Sequence, residues 1–206
     1  FIPIAERYNL IYEIDKWVIR KSFAFFAEAT RKGYLDKDVI FSINISADSF
    51  FSNDLVEFIA ENRKRLNVPA HNFCFEITES CAVRNLEATS KFVSELRKQG
   101  FSFSLDDFGK GFSSFPYLKT LPIDYVKIDG TFIKSIDKDY VDFSMVKSMR
   151  DMCYHLGLYT IGEYAENEQI VSILKDIGID YGQGYAFQKP IPIEEAIKLQ
   201  NDRNRI

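Results

Sequence analysis

The sequence has no long apolar run, few cysteines and histidines, and no glycine-rich dinucleotide-binding motif. Its most apolar patch, residues 23–27, is far shorter than the roughly 20 residues that span a bilayer, so no membrane contact by this domain is predicted. The three cysteines form no Cys-x-x-Cys pair, and His71 and His155 are far apart, which argues against a structural zinc site. Reduced thiols are typical of a cytoplasmic domain, and a membrane-tethered parent protein is compatible with this.

The sequence also has no excess of positive charge. Its 26 Lys and Arg residues face 30 Asp and Glu residues, for a formal net charge of −4. A protein that binds a nucleic-acid polymer needs a basic surface, so the composition argues against that partner. A small anionic ligand held through a metal ion remains compatible. The length of 206 residues and the 46% hydrophobic content fit one domain over residues 1–206.

Short β-rich runs alternate with amphipathic stretches, which is typical of parallel βα units. The predicted strands are residues 39–46, 73–78, 101–106, 125–128, 160–163 and 179–183. Apolar residues between them recur at helical spacing and stop at Gly100 and Gly178, which fit helix C-caps. Upstream, Ile14, Trp17 and Phe25 indicate a helix that precedes the first of these strands. Six such units fit either an open doubly wound sheet or part of an eight-stranded barrel.

Polar residues stand at or just after the ends of the predicted strands, where active sites of βα proteins collect. They are Asn44, Glu76, Asp106, Asp107, Lys127, Glu163 and Gln183. Taken singly, an Asp or Asn at a strand end is more often a turn former or a helix cap. Glu76 and Asp106, however, follow apolar residues within their strands, and burying an uncompensated carboxylate is costly.

Together these residues carry four carboxylates and two amides but only one cation, Lys127. The excess negative charge predicts bound divalent metal, and all-oxygen ligation suits Mg²⁺ or Mn²⁺. Such ions activate water and hold phosphoryl oxygens, so the pattern indicates phosphoester hydrolysis.

The run from Leu105 to Ser114 resembles the Asp-Asp-Phe-Gly-x-Gly-Tyr-Ser-Ser segment of EAL phosphodiesterases. Further motifs are similar to those of the family and occur in its order along nearly the whole chain. They are Phe1-Ile2-Pro3-Ile4-Ala5-Glu6, Asn44-Ile45-Ser46, Glu76-Ile77-Thr78-Glu79, Lys127-Ile128-Asp129, Gln183-Gly184-Tyr185 and Lys189-Pro190. The resemblance implies a TIM-like (β/α)8 barrel of which about six βα units are present, with two divalent metals, that hydrolyses cyclic di-GMP to linear pGpG.

The resemblance also implies a role for each matching residue. Asn44, Glu76 and Asp106 would hold one metal, and Asp106, Asp107 and Glu163 the other. Lys127 would orient or deprotonate the bridging water, Gln183 would support that water, and Gln183 and Pro190 would contact substrate. Glu79, Gly109 and Gly111 would brace the loop of residues 108–115, the expected link between dimer contacts and the metal site. The family relation further implies a homodimer and a sensory or GGDEF domain elsewhere in the full-length protein.

Two departures from the family pattern bear on activity. The Glu-x-Leu segment, with its metal-binding Glu and a downstream Arg, is expected on a strand before Phe1, so we read residues 1–206 as an N-terminally incomplete domain. The usual Glu-Gly-Val-Glu is here Glu163-Tyr164-Ala165-Glu166, and Phe112 replaces a Tyr. Strand alternation predicts that Tyr164 points away from Glu163 and tunes activity. The alternative function is a binding module that senses cyclic di-GMP, or a protein partner, without hydrolysis.

Overall fold

The computed structural model describes residues 1–35, 38–50, 52, 54–111 and 115–203. Within these ranges, six strands form one sheet in which their order follows the chain. The strands are Phe41–Asn44 (β1), Phe73–Thr78 (β2), Ser102–Phe108 (β3), Tyr125–Ile128 (β4), Tyr159–Gly162 (β5) and Tyr181–Gly182 (β6). Strands β3 to β6 pair in parallel, as successive βα units require.

Helices separate most of the strands. They are Ile2–Arg7 (α1), Ile11–Arg31 (α2), Ala47–Phe50 (α3), Leu55–Leu66 (α4), Glu79–Arg84 (α5), Leu86–Arg97 (α6), Gly130–Ile133 (α7), Tyr140–His155 (α8), Glu168–Ile177 (α9) and Ile193–Arg203 (α10). Between β3 and β4 the described residues contain one 3-10 helix, Phe115–Lys119. None of the described helices has the length and apolar character needed to cross a membrane.

The predicted βα alternation is confirmed, and the six strands lie close to their predicted positions. Strand β3 continues two residues beyond its predicted end and therefore contains Asp107 and Phe108. Strand β6 keeps only two residues, although the amide of Gln183 still donates to the carbonyl of Gly162 at 2.9 Å. Gly178 caps α9 in the left-handed region, as predicted, whereas α6 ends at Arg97, before Gly100.

The described residues divide into two compact units. The first comprises Phe1–Phe75, Glu95–Ser102 and Pro190–Ile206, and the second comprises Glu76–Ser94 and Phe103–Lys189. In the first unit, α2 buries a stripe at helical spacing: Ile11, Asp15, Ile19, Phe23, Phe26 and Ala29. The ring of Phe23 packs 4.5 Å from that of Phe73 and 6.2 Å from that of Phe101. Trp17 is 56% exposed, so it marks the helix but not its buried face.

In the second unit, apolar side chains of the strands pack with those of α8 and α9. The fully or almost fully buried members are Phe103, Leu105, Val126, Ile128, Val146, Cys153, Ile170 and Leu174. This close-packed apolar core fixes the strand ends, and with them the polar residues of the second unit that follow.

Candidate functional site

Lys127 is the centre of a buried ionic cluster in the second unit. Its Nζ lies 3.1 Å from Glu76 Oε2, 3.1 Å from Asp106 Oδ1 and 2.9 Å from Glu163 Oε1. The oxygens of Glu76 and Asp106 are therefore at most twice 3.1 Å apart, so the two carboxylates meet at the same ammonium group. The side chains of Lys127 and Glu76 are 5% and 7% exposed, as the apolar neighbours of Glu76 predicted.

The charges of this cluster do not balance. Burial lowers the pKa of Lys127, but attraction to Glu76, the hydrogen bond to Glu163 and attraction to Asp106 outweigh it, and the net pKa is raised. Burial also raises the pKa of Glu163; Lys127 opposes this change, and the negative charges of Asp106 and Asp107 add to it. One ammonium thus faces more carboxylate charge than it neutralises, which favours a further cation.

A bulge in β3 explains how two consecutive aspartates reach the same site. Leu105 pairs with Val126 and Phe108 with Ile128, so two residues of β3 oppose the single residue Lys127 of β4. Asp107 takes a left-handed backbone with φ of 56°, which is tolerated by Asp better than by most residues. In a regular strand, successive side chains point to opposite faces; the bulge removes that alternation here.

The carboxylates of Asp106, Asp107 and Glu163 form a cluster with the donor set of a hard cation. One oxygen from each lies within 4.8 Å of one from each of the others. The residues therefore fit a divalent metal by their spacing and by the uncompensated charge of the cluster. Asp107 also accepts from Lys110 Nζ at 2.7 Å, and Lys110 lies 2.8 Å from Asp129 Oδ2.

Glu79 connects two segments that flank the end of the sheet. Its Oε2 accepts from the amide of Gly109 at 2.9 Å, and its Oε1 accepts from the hydroxyl of Tyr117 at 2.6 Å. Gly109 has φ of 98°, a conformation that suits glycine, and the role of Gly111 stays a prediction. Phe112, Ser113 and Ser114, which complete the sequence motif, lie outside the described residues.

The other predicted site residues are exposed. Asn44 is the last residue of β1 and lies in the first unit, and Pro190 also lies there. Gln183 lies in the second unit, where its carbonyl accepts from the amide of Ala165 at 3.0 Å. The geometry therefore joins Glu76, Asp106, Asp107, Lys127 and Glu163 in one cluster. The roles of Asn44, Gln183 and Pro190 stay predictions.

Comparison with known proteins identifies the family of the chain. The family model described as "EAL domain" matches residues 1–190.

The chain belongs to the EAL domain family.

Two curated proteins that are similar to the chain are named as phosphodiesterases. "Cyclic di-GMP phosphodiesterase PdeB" of Shewanella oneidensis is 45% identical over 193 residues, covering 94% of this chain and 22% of that protein. "Cyclic di-GMP phosphodiesterase PdeA" of Borreliella burgdorferi is 38% identical over 190 residues, covering 92% and 28%. The chain thus spans well under a third of the length of these relatives.

Solved structures of EAL domains have the same fold. A structure described as "PaMucR Phosphodiesterase, c-di-GMP complex" matches with a TM-score of 0.89 and 31% identity, over 95% of this chain and 78% of that one. The EAL domain of Mycobacterium smegmatis DcpA matches with a TM-score of 0.87 and 30% identity, over 92% and 84%. The predicted fold class, the βα units of an EAL-type TIM-like barrel, is confirmed.

Two charged interactions near the EAL motifs were missed from the sequence. Lys110 bridges Asp107 and Asp129. These two aspartates are far apart in the sequence, so local spacing does not reveal the bridge. In the first unit, Asp15 Oδ2 accepts from Ser46 N, Ser46 Oγ and Ser49 Oγ at 2.9, 2.6 and 2.6 Å. The available signal was an Asp on the buried stripe of α2, four residues after Ile11 and four before Ile19.

Tyr164, where the family commonly has Gly, is oriented by something other than strand alternation. Strand β5 ends at Gly162, and Tyr164 has φ of 54°, in the left-handed region. The prediction that strand alternation directs the side chain of Tyr164 is therefore wrong, because the residue lies beyond the end of the strand. The ring is 48% exposed and lies under the ammonium of Lys134, 4.0 Å from the ring centroid.

Proposed function

We propose that the chain is the catalytic domain of a phosphodiesterase that hydrolyses cyclic di-GMP to linear pGpG. The observation that carries the proposal is the buried cluster in which Lys127 contacts Glu76, Asp106 and Glu163. Support comes from relatives that are themselves named cyclic di-GMP phosphodiesterases. A binding-only module has no need to bury so many uncompensated charges, which are costly to the fold.

The proposed cofactors are two divalent ions, Mg²⁺ or Mn²⁺. By family resemblance, Asn44, Glu76 and Asp106 would hold one ion, and Asp106, Asp107 and Glu163 the other; the spacing of the last three supports this. When bound, such ions supply an activated water and neutralise the charge on phosphoryl oxygens.

Lys127 has a defined role in this proposal. The three carboxylates keep its Nζ protonated, because they raise its pKa despite burial. Its ammonium therefore orients an oxygen of water or phosphate by donating hydrogen bonds. Gln183 and Pro190 would contact substrate, and Glu79 would brace the loop of residues 108–115.

The test is hydrolysis of cyclic di-GMP by the purified full-length protein, followed by separation of substrate and pGpG by chromatography. We expect turnover in Mg²⁺ or Mn²⁺, and none after chelation with EDTA. Asp106→Asn should abolish turnover, whereas Asp176→Asn, an exposed carboxylate on α9, should not change it. Binding of cyclic di-GMP without any turnover would instead support the sensor function.

We also propose that the domain works as a homodimer. A groove of about 460 Å³ on the second unit is lined by Phe115, Tyr140, Val141, Ser144, Met145, Ser148, Met149 and Met152. Tyr140 and Val141 are 80% and 64% exposed, and a second copy would bury such apolar surface. A methyl group placed on Gly109 would lie 2.8 Å from Met149 Cε, so the groove adjoins the loop that Glu79 holds.

Light scattering of the wild type and of Val141→Glu tests the dimer directly. We expect the wild type to be a dimer and Val141→Glu to be a monomer. Monomeric masses for both proteins would contradict the proposal.

We further propose a sensory or GGDEF domain elsewhere in the full-length protein. The proposal is supported by the small share of the relatives' length, 22% and 28%, that this chain covers. The three cysteines are buried, and the sequence has few cysteines and no Cys-x-x-Cys pair, which supports a cytoplasmic location for the domain.

A further inference from the structure

Tyr164 occupies a backbone conformation that a tyrosine rarely adopts. With φ of 54° it lies in the left-handed region, which costs a bulky L-residue about 1–2 kcal/mol. The residue directly follows Glu163, whose carboxylate contacts Lys127 at 2.9 Å. A strained residue beside a charged cluster persists only where surrounding contacts hold it.

The contact that holds Tyr164 is with Gly130, the first residue of α7. A Cβ added to Gly130 would lie 2.9 Å from Tyr164 Cβ and would overlap the ring atoms Cγ and Cδ2. Rotation of the ring could relieve the overlap with its ring atoms, but not that with its Cβ, which is fixed to the backbone. Glycine at position 130 is therefore required by tyrosine at position 164.

This contact joins the ends of two neighbouring strands that carry the site. Gly130 is the second residue after the end of β4, and β4 contains Lys127. The amide of Glu163 donates to the carbonyl of Ile128 at 3.2 Å, so the backbones of β4 and β5 are already paired there. Beyond this bond, Tyr164 covers the start of α7, and Lys134 of the following turn covers the ring at 4.0 Å.

On the other side of the same turn, Ala165 fixes the chain to the residues after β6. Its amide donates to the carbonyl of Gln183 at 3.0 Å, and its carbonyl accepts from Ala186 at 2.9 Å. The Glu163–Ala165 turn is thus held by backbone bonds toward β6, and toward β4 by the bond of the Glu163 amide and by the Tyr164 ring. Removing the ring would loosen one side only.

We propose that Tyr164 is a positioning residue which, by packing on Gly130, fixes the end of β5 against β4 and so holds Glu163 beside Lys127 and the carboxylates of Asp106 and Asp107. This inference rests on the proposed phosphodiesterase function. It assigns Tyr164 no contact with substrate. The ring acts through the backbone of Glu163.

The test uses Tyr164→Phe, Tyr164→Gly and Gly130→Ala, with the double variant Gly130→Ala/Tyr164→Gly. Tyr164→Phe keeps the ring and should retain turnover. Tyr164→Gly relieves the backbone strain but removes the packing, so kcat should fall about tenfold while KM changes little and the midpoint of thermal unfolding does not fall. Gly130→Ala should lower both kcat and the thermal midpoint.

The double variant separates packing on the ring from other effects. If the ring is what Gly130 must accommodate, Gly130→Ala should cause no further loss of stability when Tyr164 is already Gly. Tyr154→Ala is the matched control for loss of an exposed aromatic ring. The guanidinium of Arg150 lies over the Tyr154 ring, 4.9 Å from its centroid, as the ammonium of Lys134 lies over the Tyr164 ring. It should leave kcat unchanged.

Mn²⁺ binding measured by calorimetry gives a readout that does not depend on hydrolysis. We expect weaker Mn²⁺ binding for Tyr164→Gly and restored binding for Tyr164→Phe. Full kcat and unchanged Mn²⁺ affinity in Tyr164→Gly, or equal destabilisation by Gly130→Ala in both backgrounds, would overturn the proposal. A wild-type chain that binds Mn²⁺ but does not hydrolyse cyclic di-GMP would refute the proposed function alone, since the binding and stability comparisons still decide the role of Tyr164.

Discussion

Lys127 contacts Glu76, Asp106 and Glu163 at once, and it is 4% exposed. Replacing it with Ala removes the hydrogen-bond donor and leaves the three carboxylates without that cation. We expect turnover of cyclic di-GMP at saturating metal to fall at least about 100-fold, the contribution of a positioned acid–base group. Substrate binding should survive, as equilibrium dialysis would measure.

The control for this experiment is Lys175→Ala, which removes an exposed lysine on α9. Turnover of that variant should equal the wild-type value. If Lys127→Ala also turned over at the wild-type rate, Lys127 would have no part in the mechanism.

Cys153 has a very different environment from a reactive thiol. Burial raises its pKa to about 12, and the charge of Asp180 acts in the same direction. Because the thiolate is the reactive form, we expect iodoacetamide at about pH 8 to leave Cys153 unmodified in the native protein and to modify it in urea. Peptide mass spectrometry measures both. Equal modification in the two conditions would show that the thiol is accessible.

Local sequence predicted the buried carboxylates but not their partners. Glu76 and Asp106 could be selected because each follows an apolar residue within a strand. The bridge from Lys110 to Asp107 and Asp129 could not, because it depends on where the chain turns after β3. The strain at Tyr164 likewise depends on the residue where β5 ends, and strand ends are poorly determined by pattern alone.

At the scale of the helix, Gly178 ends α9 with φ of 88°. Gly178→Ala would strain the backbone and bring the new methyl group 2.9 Å from Arg150 Nη2. Arg150 cannot move freely, since its Nε donates to the Gly178 carbonyl at 3.1 Å. We expect the free energy of unfolding to fall by about 2 kcal/mol, of which about half is backbone strain and half the lost hydrogen bond.

Gly157→Ala is the matched control, because Gly157 has φ of 72° and an added Cβ there would meet nothing within 4 Å. It should show the strain alone, about 1 kcal/mol. Urea unfolding of both variants measures the difference. Equal losses would mean that Arg150 adjusts to the methyl group without cost.

The elements themselves could be predicted better than their irregularities. Periodicity indicated α2, yet Trp17 on that helix is exposed while Asp15 is buried. Asp15 can occupy the core face because its carboxylate accepts three hydrogen bonds. The bulge that turns both Asp106 and Asp107 toward one cluster has no local signal. Regular alternation would have separated their side chains.

For the molecule as a whole, βα alternation predicted the fold class but could not choose between an open sheet and a barrel. The choice came from the order of the EAL motifs, whose polar residues stand at strand ends. Length is a weak guide because both folds repeat the same unit. The fold brings several carboxylates close together, and their mutual repulsion lowers the stability of the native state. Unfolding would separate these carboxylates in water.

Divalent metal should therefore stabilise the folded protein. A ligand that binds only the native state at 100 times its Kd adds about 2.7 kcal/mol to the free energy of unfolding. For a chain of 206 residues this raises the thermal midpoint by roughly 5–10 °C. Differential scanning calorimetry of EDTA-treated protein, with and without added Mg²⁺ or Mn²⁺, measures the shift.

Two variants make the cause of that shift specific. Asp106→Asn should remove most of it, because Asp106 belongs to the carboxylate cluster within 4.8 Å, whereas Asp176→Asn on α9 should keep it. Lys127→Ala should lower the midpoint of the metal-free protein, since the buried carboxylates lose their ammonium, and should enlarge the shift on adding metal. An equal shift in Asp106→Asn and wild type would place metal binding elsewhere on the protein. The opposite order for Lys127→Ala, a higher midpoint without metal, would mean that its three ion pairs do not stabilise the fold.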